Sequence, residues 1–137
     1  MPSGLDRARL VELPKIGDHR GFLTVAENNR HVPFEIRRVY YLYNLPENTH
    51  RGGHAHKLHE ELVLPLAGSF DVTLDDGVNK KTYHLDQPNI GLFMPTMVWH
   101  ELANFATGSV CMVLASQPHD AEDYYRDREE FYRAVRG

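Results

Sequence analysis

The sequence has little cysteine, no long apolar run and no excess of positive charge. The single cysteine, Cys111, cannot form an internal disulfide, and its place in the apolar run SVCMVLAS predicts a small buried residue in a reducing compartment. No stretch reaches the roughly 20 apolar residues of a membrane helix, so we expect no membrane contact. A formal net charge of -4 provides no basic field, so we expect no nucleic-acid partner.

The first residues, MPSGLDRARLVELPKIGD, carry charge every few positions, whereas an export signal has an unbroken apolar block. We therefore expect the protein to stay in the cytoplasm. At 137 residues the chain has the length of one ordinary domain. It has no internal repeat, low-complexity tract or linker, so we expect one domain over residues 1–137.

Short strands separated by turn residues are predicted for most of the interior. Runs that are β-branched and aromatic, or that alternate apolar with polar residues, predict strands within 37–45, 61–77, 80–86 and 109–116. Asp76-Gly77 predicts a hairpin turn, and Pro65 predicts either an edge strand or a bulge. Many short strands with short connections are typical of a closed or sandwiched β structure.

The C-terminal segment DAEDYYRDREEFYRAVRG, residues 120–137, predicts a helix. It lacks internal glycine and proline, and it spaces Tyr124, Arg128, Phe131 and Val135 three or four residues apart. Asp120 is a suitable N-cap. We expect a helix that begins at Asp120 and packs an aromatic side on the β body.

Two histidines one residue apart, His54 and His56, are the most informative feature. On an extended strand both side chains leave the same face of the sheet, so the imidazoles converge. Glu61 falls on the opposite face of a straight strand unless a bulge, near Gly52-Gly53 or at His59, reverses the parity. His100 apart, we expect no comparable grouping for the remaining histidines, which are His19, His31, His50, His59, His84 and His119.

Two blocks of the sequence resemble the two motifs of the cupin family. The first block matches at His54, His56, Glu61 and Gly68, and the second at Gly91, Pro95, His100 and Asn104, with Met97 where a glycine is usual. The resemblance implies an all-β cupin jelly-roll barrel, followed here by a short C-terminal helix. Three imidazoles and a carboxylate also suit a divalent transition metal with an open position for substrate. Histidines that only hydrogen-bond to their neighbours are the structural alternative.

A closer resemblance extends from Asp18 to Phe131. The stretches IRRVYYLYNL, RGGHAHK, GLFMPTMVWHE and CMVLASQPHDAEDYYR are similar to those of the sugar nucleotide 3,4-ketoisomerases, cupin enzymes that convert dTDP-4-oxo-6-deoxyglucose to its 3-oxo isomer. The resemblance implies an isomerase without metal or other cofactor that binds a dTDP-linked deoxysugar. It also implies a place before an aminotransferase in amino sugar synthesis. A homodimer formed by strand exchange near the N-terminus is expected by analogy only.

The resemblance implies roles for individual residues. His54 is the expected proton-transfer base, because a neutral imidazole suits both halves of a transfer from carbon 3 to carbon 4. Arg51, Tyr40 or His100 would donate to the carbonyl oxygen. The expected catalytic residues are His54, His56, His100, Tyr40 and Arg20. The expected substrate-binding residues are Arg38, Arg51, Lys57, Trp99 and Glu101.

Several choices stay open at this point. Tyr40 is expected to face the barrel interior and Tyr41 the exterior, and Trp99 either stacks on the nucleotide base or fills the barrel. Arg20 in HRGFLT and His100 in VWHE resemble the enzymes that form the galacto product, dTDP-3-oxo-6-deoxygalactose. Glu61 either completes a metal site or orients an imidazole. The alternatives to the ketoisomerase are a metal-dependent cupin enzyme, either a dioxygenase or a deoxysugar epimerase, and a non-catalytic sugar-binding cupin.

Overall fold

The short β-rich runs form antiparallel strands in a computed structural model that describes residues 4–137. The strands alternate buried and exposed residues where one face meets the core. In chain order the elements are α1 (Gly4–Arg7), β1 (Arg9–Glu12), β2 (Lys15–Asp18), β3 (Gly21–Thr24), β4 (Arg38–Leu42), β5 (Arg51–His56), β6 (Glu61–Ala67), β7 (Phe70–Asp75), β8 (Lys80–Leu85), β9 (Ile90–Met94), β10 (Trp99–Ala103), β11 (Val110–Ala115), a 3₁₀ turn (Ala121–Asp123), β12 (Tyr124–Tyr125) and α2 (Arg128–Arg136).

Two five-stranded sheets form the barrel. The strand order is β1-β9-β6-β11-β4 in one sheet and β12-β5-β10-β7-β8 in the other, and every paired strand is antiparallel. Within the described part of the chain, residues 4–137, strands β2 and β3 pair only with each other as a separate hairpin. The predicted all-β jelly-roll barrel with a short C-terminal helix is confirmed.

The main core lies between the sheets. Cys111 is fully buried there, as predicted. The buried residues of this core are Val63, Phe70, Val72, Leu74, Leu85, Leu92, Met94, Val98, Leu102, Cys111 and Val113. A second apolar layer covers the outer face of the first sheet, and its buried residues are Leu13, Val32, Phe34, Leu62, Leu64, Phe93 and Leu114.

The strand predictions were correct in position but not in every detail. The run 61–77 contains two strands, β6 and β7, because Gly68 adopts a φ of 72° and separates them. Asp76-Gly77 does lie in the β7–β8 hairpin, where Gly77 has a φ of 95°. Pro65 lies in a central strand opposite a register shift of β11. The bulge prediction for Pro65 is therefore confirmed and the edge prediction is wrong.

The C-terminal helix begins later than predicted. Asp127, not Asp120, is the N-cap of α2, and its carboxylate accepts from the backbone N–H groups of Glu129 and Glu130. Residues before it are drawn into the second sheet, because Tyr124 and Tyr125 pair with His56 and Ala55 of β5. The helix buries Phe131 as expected. Within residues 4–137, none of the helices combines the length and the apolar character that crossing a membrane requires.

Candidate active site

A bulge in β5 brings His54 opposite His100. His54 pairs with His100 of β10, whereas the next residue of β10, Glu101, pairs with Gly52, so Gly53 is the extra residue. Gly52 and Gly53 have φ values of 84° and 74°, a region that favours glycine. A Cβ atom on Gly52 would lie 2.8 Å from the carbonyl oxygen of His100. The two glycines therefore allow the close approach of these strands.

Three imidazoles converge at this bulge. The Nε2 atoms of His54 and His100 are 3.1 Å apart, so one ring donates a hydrogen bond and the other accepts it. The ring centroids of His54 and His56 are 4.9 Å apart. The convergence that the spacing of His54 and His56 predicts is therefore present.

Glu61 reaches the same cluster, although it belongs to another strand. Residues 57–60 turn the chain between β5 and β6, so the parity of one continuous strand does not apply. Glu61 is 1% exposed, and its Oε1 atom lies 3.1 Å from Nε2 of His56. The Tyr40 hydroxyl donates to Oε2 at 2.8 Å, and Nη2 of Arg38 lies 3.8 Å from the same oxygen. Glu61 thus connects the histidines with two predicted site residues on β4.

Burial and mutual repulsion keep the imidazoles neutral. Burial is the main cause that lowers the pKa of His54 to about 4 and that of His100 to about 3, and neighbouring imidazoles lower both further. Burial raises the pKa of Glu61, but the hydrogen bond with His56 and the nearby His59 ring outweigh burial and hold that pKa well below its usual range. Burial, followed by the charge of Glu61, raises the pKa of Tyr40. The cluster therefore combines neutral bases, one buried carboxylate and a protonated phenol.

An open cavity between the two sheets exposes part of this cluster. It brings together four predicted site residues, Tyr40, Arg51, His54 and His100, and Tyr41 lies on the outside of the barrel, 60% exposed. His56 is 4% exposed and lies behind the wall, against Glu61. The lining residues are Tyr40, Leu42, Arg51, Gly52, His54, Glu61, Val63, Met94, His100, Leu102 and Val113.

Trp99 and Glu101 do not face the cavity, because they alternate with His100 along β10 and leave the sheet on the other side. Nε1 of Trp99 donates to Oε1 of Glu101 at 3.1 Å, and the guanidinium of Arg128 binds the same carboxylate. The Trp99 ring packs on Phe131 with centroids 5.8 Å apart. The packing alternative for Trp99 is therefore correct, and Glu101 helps to attach α2 to the barrel instead of contacting the cavity.

Lys57 and Arg20 also lie outside the cavity of this chain. The Lys57 ammonium lies over the ring of Tyr125, 4.9 Å from its centroid. Arg20 is at the exposed turn of the β2–β3 hairpin and forms an ion pair with Asp18, with Nη2 2.7 Å from Oδ2. Within one chain, therefore, neither residue has the position that its predicted role requires.

The prediction that His59 has no comparable grouping is wrong. His59 is 1% exposed, its ring centroid lies 3.5 Å from that of His56, and its Nδ1 atom lies 2.5 Å from Oδ2 of Asp123. The Tyr124 ring lies beside His54 and His56, with centroids 4.9 and 4.5 Å away. The proximity of His59 to Glu61 in the sequence was an available signal that His59 lies in the same cluster as Glu61 and His56. Asp123 and Tyr124 are remote in sequence from these histidines, and no local pattern predicts their contacts.

The three imidazoles also fit a divalent transition metal. His54, His56 and His100 each offer a ring nitrogen, and these atoms lie within 4.8 Å of one another. The two oxygens of Glu61 are already engaged by His56 and Tyr40. A metal would therefore be held mainly by nitrogen.

Comparison with known proteins identifies the family. The family model described as "FdtA: WxcM-like, C-terminal" matches residues 6–136. A TDP-4-oxo-6-deoxy-alpha-D-glucose-3,4-oxoisomerase from Aneurinibacillus thermoaerophilus is 40% identical over 127 residues, which are 93% of this chain and 91% of the relative.

Two solved structures are similar along nearly the whole chain. A 3,4-ketoisomerase from Helicobacter canadensis has 39% identity and a TM-score of 0.92, with 95% of this chain and 98% of that chain covered. A TDP-quinovose 3,4-ketoisomerase from Campylobacter jejuni has 43% identity and a TM-score of 0.88, with 92% and 97% covered. The resemblance to sugar nucleotide 3,4-ketoisomerases is thus confirmed, and the chain belongs to the family described as FdtA: WxcM-like, C-terminal.

Proposed function

We propose that this protein is a sugar nucleotide 3,4-ketoisomerase that converts dTDP-4-oxo-6-deoxyglucose to dTDP-3-oxo-6-deoxygalactose. One observation carries the chemistry: His54 and His100 are neutral imidazoles that face each other across 3.1 Å at the cavity wall. The substrate class is inferred from the names of the relatives. The prediction of a cytoplasmic enzyme accompanies this proposal.

The reaction begins with loss of the proton at carbon 3. His54 accepts this proton, the C–H electrons form a carbon–carbon double bond, and the carbonyl electrons move to oxygen 4. Arg51 lines the same cavity and supplies donors for the developing negative charge, whereas Nε2 of His100 is already hydrogen-bonded to His54. The Tyr40 hydrogen is already donated to Glu61, so Tyr40 contributes to the shape and polarity of the wall.

The second half of the reaction returns a proton to carbon 4. Oxygen 4 of the enediolate takes up the proton of oxygen 3, a carbonyl forms at carbon 3, and carbon 4 receives the proton of protonated His54. In total, one hydrogen moves between the carbons and one between the oxygens, so atoms and electrons balance without an oxidant or a reductant. The ring face that His54 or His100 approaches decides the product stereochemistry.

Arginines next to the cluster suit the diphosphate and the sugar oxygens. Arg51 lines the cavity, and a guanidinium offers paired donors to phosphate. Arg38 is a less direct candidate, because its guanidinium lies against Glu61 and over the Tyr40 ring, 4.9 Å from the centroid. We propose Arg51 as the principal substrate-binding residue and Arg38 as the group that offsets the charge of Glu61.

Nuclear magnetic resonance of the sugar product tests the proposed function. The protein is incubated with dTDP-4-oxo-6-deoxyglucose and excess chelator, and the expected spectrum is that of the 3-oxo galacto isomer. The gluco isomer would contradict the stereochemical part, and it is the competing outcome because one relative is named for quinovose, which is 6-deoxyglucose. Binding without any product would instead favour a sugar-binding cupin.

A metal-dependent cupin enzyme is the second candidate, and the nitrogen cluster of His54, His56 and His100 is the observation that favours it. A bound divalent ion would polarise a carbonyl or a water. Loss of turnover with chelator, and its recovery with one divalent metal, would support this candidate. Undiminished turnover after exhaustive chelation would contradict it.

We also propose that the protein is a homodimer in which the β2–β3 hairpin of one copy covers edge strand β4 of another. The hairpin carries Ile16 and Phe22, 61% and 72% exposed, and an isolated two-stranded hairpin has little stability of its own. Strand β4 ends its sheet and exposes Val39 and Tyr41, 53% and 60%. Because the inner face of β4 contributes Tyr40 to the cavity, this arrangement would carry Arg20 toward the site of the partner subunit.

Subunit complementation tests this arrangement. Arg20→Ala and His54→Asn are each expected to be nearly inactive, and their co-expression is expected to restore activity. Activity returns because a mixed dimer has one site with His54 from one chain and Arg20 from the other. No restoration, with mixed dimers demonstrated by two different affinity tags, would contradict the trans position of Arg20. A monomer in sedimentation velocity would contradict the dimer itself.

A further inference from the structure

His59 is buried beneath the cavity and touches two carboxylates. Its Nδ1 atom lies 2.5 Å from Oδ2 of Asp123, and its Nε2 atom lies 3.5 Å from Oε2 of Glu61. The His59 side chain has no exposed surface. His59 and Asp123 are both absent from the cavity lining. Any effect of this pair on a bound sugar must therefore pass through other residues.

Asp123 fixes the loop that carries His59, although it comes from the other end of the chain. Its carboxylate accepts the backbone N–H of Leu58 at 2.7 Å and that of His59 at 3.3 Å. Its carbonyl oxygen accepts the N–H of Lys57 at 2.9 Å. These three bonds, together with the contact to the His59 ring, hold both the backbone and the side chain in one position.

Glu61 links the position of the His59 ring to the residues of the cavity wall. Its Oε1 atom contacts His56 at 3.1 Å, and its Oε2 atom accepts from Tyr40 at 2.8 Å while it faces His59. The His59 and His56 rings are also in contact, with centroids 3.5 Å apart and ring planes tilted by 37°. A displaced His59 ring would therefore free one side of Glu61 and one face of His56, and both Glu61 and Tyr40 are cavity-wall residues.

We propose that His59 and Asp123 are positioning residues of the isomerase, which hold Glu61 and, through it, His56 and Tyr40 in the geometry of the reaction. This inference rests on the proposed function. A displacement of about 1 Å at a reacting group can lower the rate about 100-fold. Because the pair does not contact the substrate cavity, its loss should lower kcat and leave KM nearly unchanged.

Four variants test the proposal with dTDP-4-oxo-6-deoxyglucose as substrate. Asp123→Asn keeps the shape and an acceptor for Leu58 but removes the charge beside His59, and it should lower kcat about 10- to 100-fold with KM within about twofold. His59→Gln extends an amide toward Glu61, whereas His59→Asn reaches only toward Asp123. We expect His59→Gln to retain at least about fivefold more kcat than His59→Asn, as a partial rescue of the contact with Glu61. Asp120→Asn is the control, because Asp120 lies on the same turn, caps it from an exposed position and touches neither His59 nor Glu61.

The outcomes separate this inference from the proposed function. Wild-type protein without turnover contradicts the proposed function. When the wild type is active, the positioning role is contradicted if the Asp123 and His59 variants keep a kcat within twofold of the wild type. It is also contradicted if the variants raise KM without lowering kcat, or if His59→Gln and His59→Asn lower kcat equally. Circular dichroism and the urea midpoint are measured for every variant. If Asp123→Asn does not fold, the comparison of the two His59 variants decides.

Discussion

At the scale of single residues, the environment of His54 explains why this histidine can act as a base. Its Nε2 atom meets another imidazole nitrogen, that of His100, and the site buries the His100 ring fully and the His54 ring partly. Burial removes the water that would stabilise a cation, and a second imidazole offers no negative charge to replace that water. His54 therefore stays unprotonated where an exposed histidine would already carry charge.

Replacing the base should greatly slow the reaction while the fold is retained. His54→Asn keeps a polar side chain of similar size but has no basic nitrogen, so kcat should fall by about 10² to 10⁴. In heavy water, the wild type should leave deuterium wholly or partly at carbon 4 of the product. The control is His84→Asn, at an exposed histidine of β8 whose Nδ1 atom contacts Asp71. Full turnover in His54→Asn, by the same resonance assay, would remove His54 from the mechanism.

The pH profile should report a base with a lowered pKa. Because burial and the nearby His56 lower the pKa of His54 to about 4, the neutral form predominates above that pH. We therefore expect kcat/KM to be flat from about pH 8 to about pH 5 and to fall only as the pH approaches 4. Samples returned to pH 7 must recover full activity, which separates titration from unfolding. An acid limb centred near 6.5 would show that the essential group has an ordinary histidine pKa.

At the scale of elements, strand β5 is shaped by two consecutive glycines with different requirements. Both have positive φ, but only Gly52 meets the backbone of β10, where a Cβ atom would lie 2.8 Å from the His100 oxygen. Around Gly53 there is no atom within 4 Å of such a Cβ atom. Substitutions at these two glycines therefore distinguish the cost of backbone strain from the cost of steric contact.

Alanine substitution of these glycines should differ in cost. Gly53→Ala should reduce the free energy of unfolding by about 1–2 kcal/mol, from left-handed strain alone. Gly52→Ala should cost more than that and should also lower kcat, because β5 and β10 must move apart between His54 and His100. Urea unfolding and steady-state kinetics of both variants measure the difference. Equal losses of stability in the two variants would mean that the close approach at Gly52 is unimportant.

Helix α2 is attached to the barrel chiefly through one ring. Phe131 is fully buried and packs against Trp99 and Tyr125. Truncation to alanine should reduce the free energy of unfolding by about 3–5 kcal/mol, because it removes a buried ring and leaves a cavity. Val78→Ala, at a side chain that is 81% exposed, should change it by less than about 0.5 kcal/mol. A loss below 1 kcal/mol in Phe131→Ala would show that α2 is not held by this contact.

At the scale of the whole molecule, the buried imidazoles link stability to pH. The native pKa values of His54 and His100 are about 4 and about 3, below the ordinary value of 6.5. Between these values the unfolded chain binds protons that the native chain does not, so stability falls as the pH is lowered. The low pKa of Glu61 acts in the same direction at lower pH, below its usual value of 4.5. All these groups contribute most to the free energy of unfolding above pH 6.5.

The free energy of unfolding should therefore decrease steadily from pH 7 to pH 4.5. The double variant His54→Asn with His100→Asn should show a shallower decrease over the same range, because two of the proton-binding differences are gone. Urea unfolding at several pH values measures both slopes. Equal or greater stability of the wild type at pH 5 than at pH 7 would contradict the buried neutral state of these histidines.

Much of the fold was predictable because its signals are local. Alternation and turn residues identified the strands around Tyr40 and Cys111 and the hairpin at Gly77, since a strand with one buried face must alternate. The helix boundary was not predictable in this way. Asp120 and Asp127 are both good N-caps, and the choice between them depends on whether Tyr124 pairs with a distant strand.

The site residues also divide into those that local sequence predicts and those that it does not. By itself, the sequence determined that His54 and His56 share a face and that His100 belongs with them, because two-residue spacing and a family resemblance need no coordinates. Only the tertiary structure decided that Glu61, His59 and Asp123 join them, that Trp99 and Glu101 face α2, and that Arg20 lies outside the cavity of its own chain. The physical reason is that a pleat fixes which neighbours share a face, whereas bulges, loop turns and contacts between distant segments fix which faces meet.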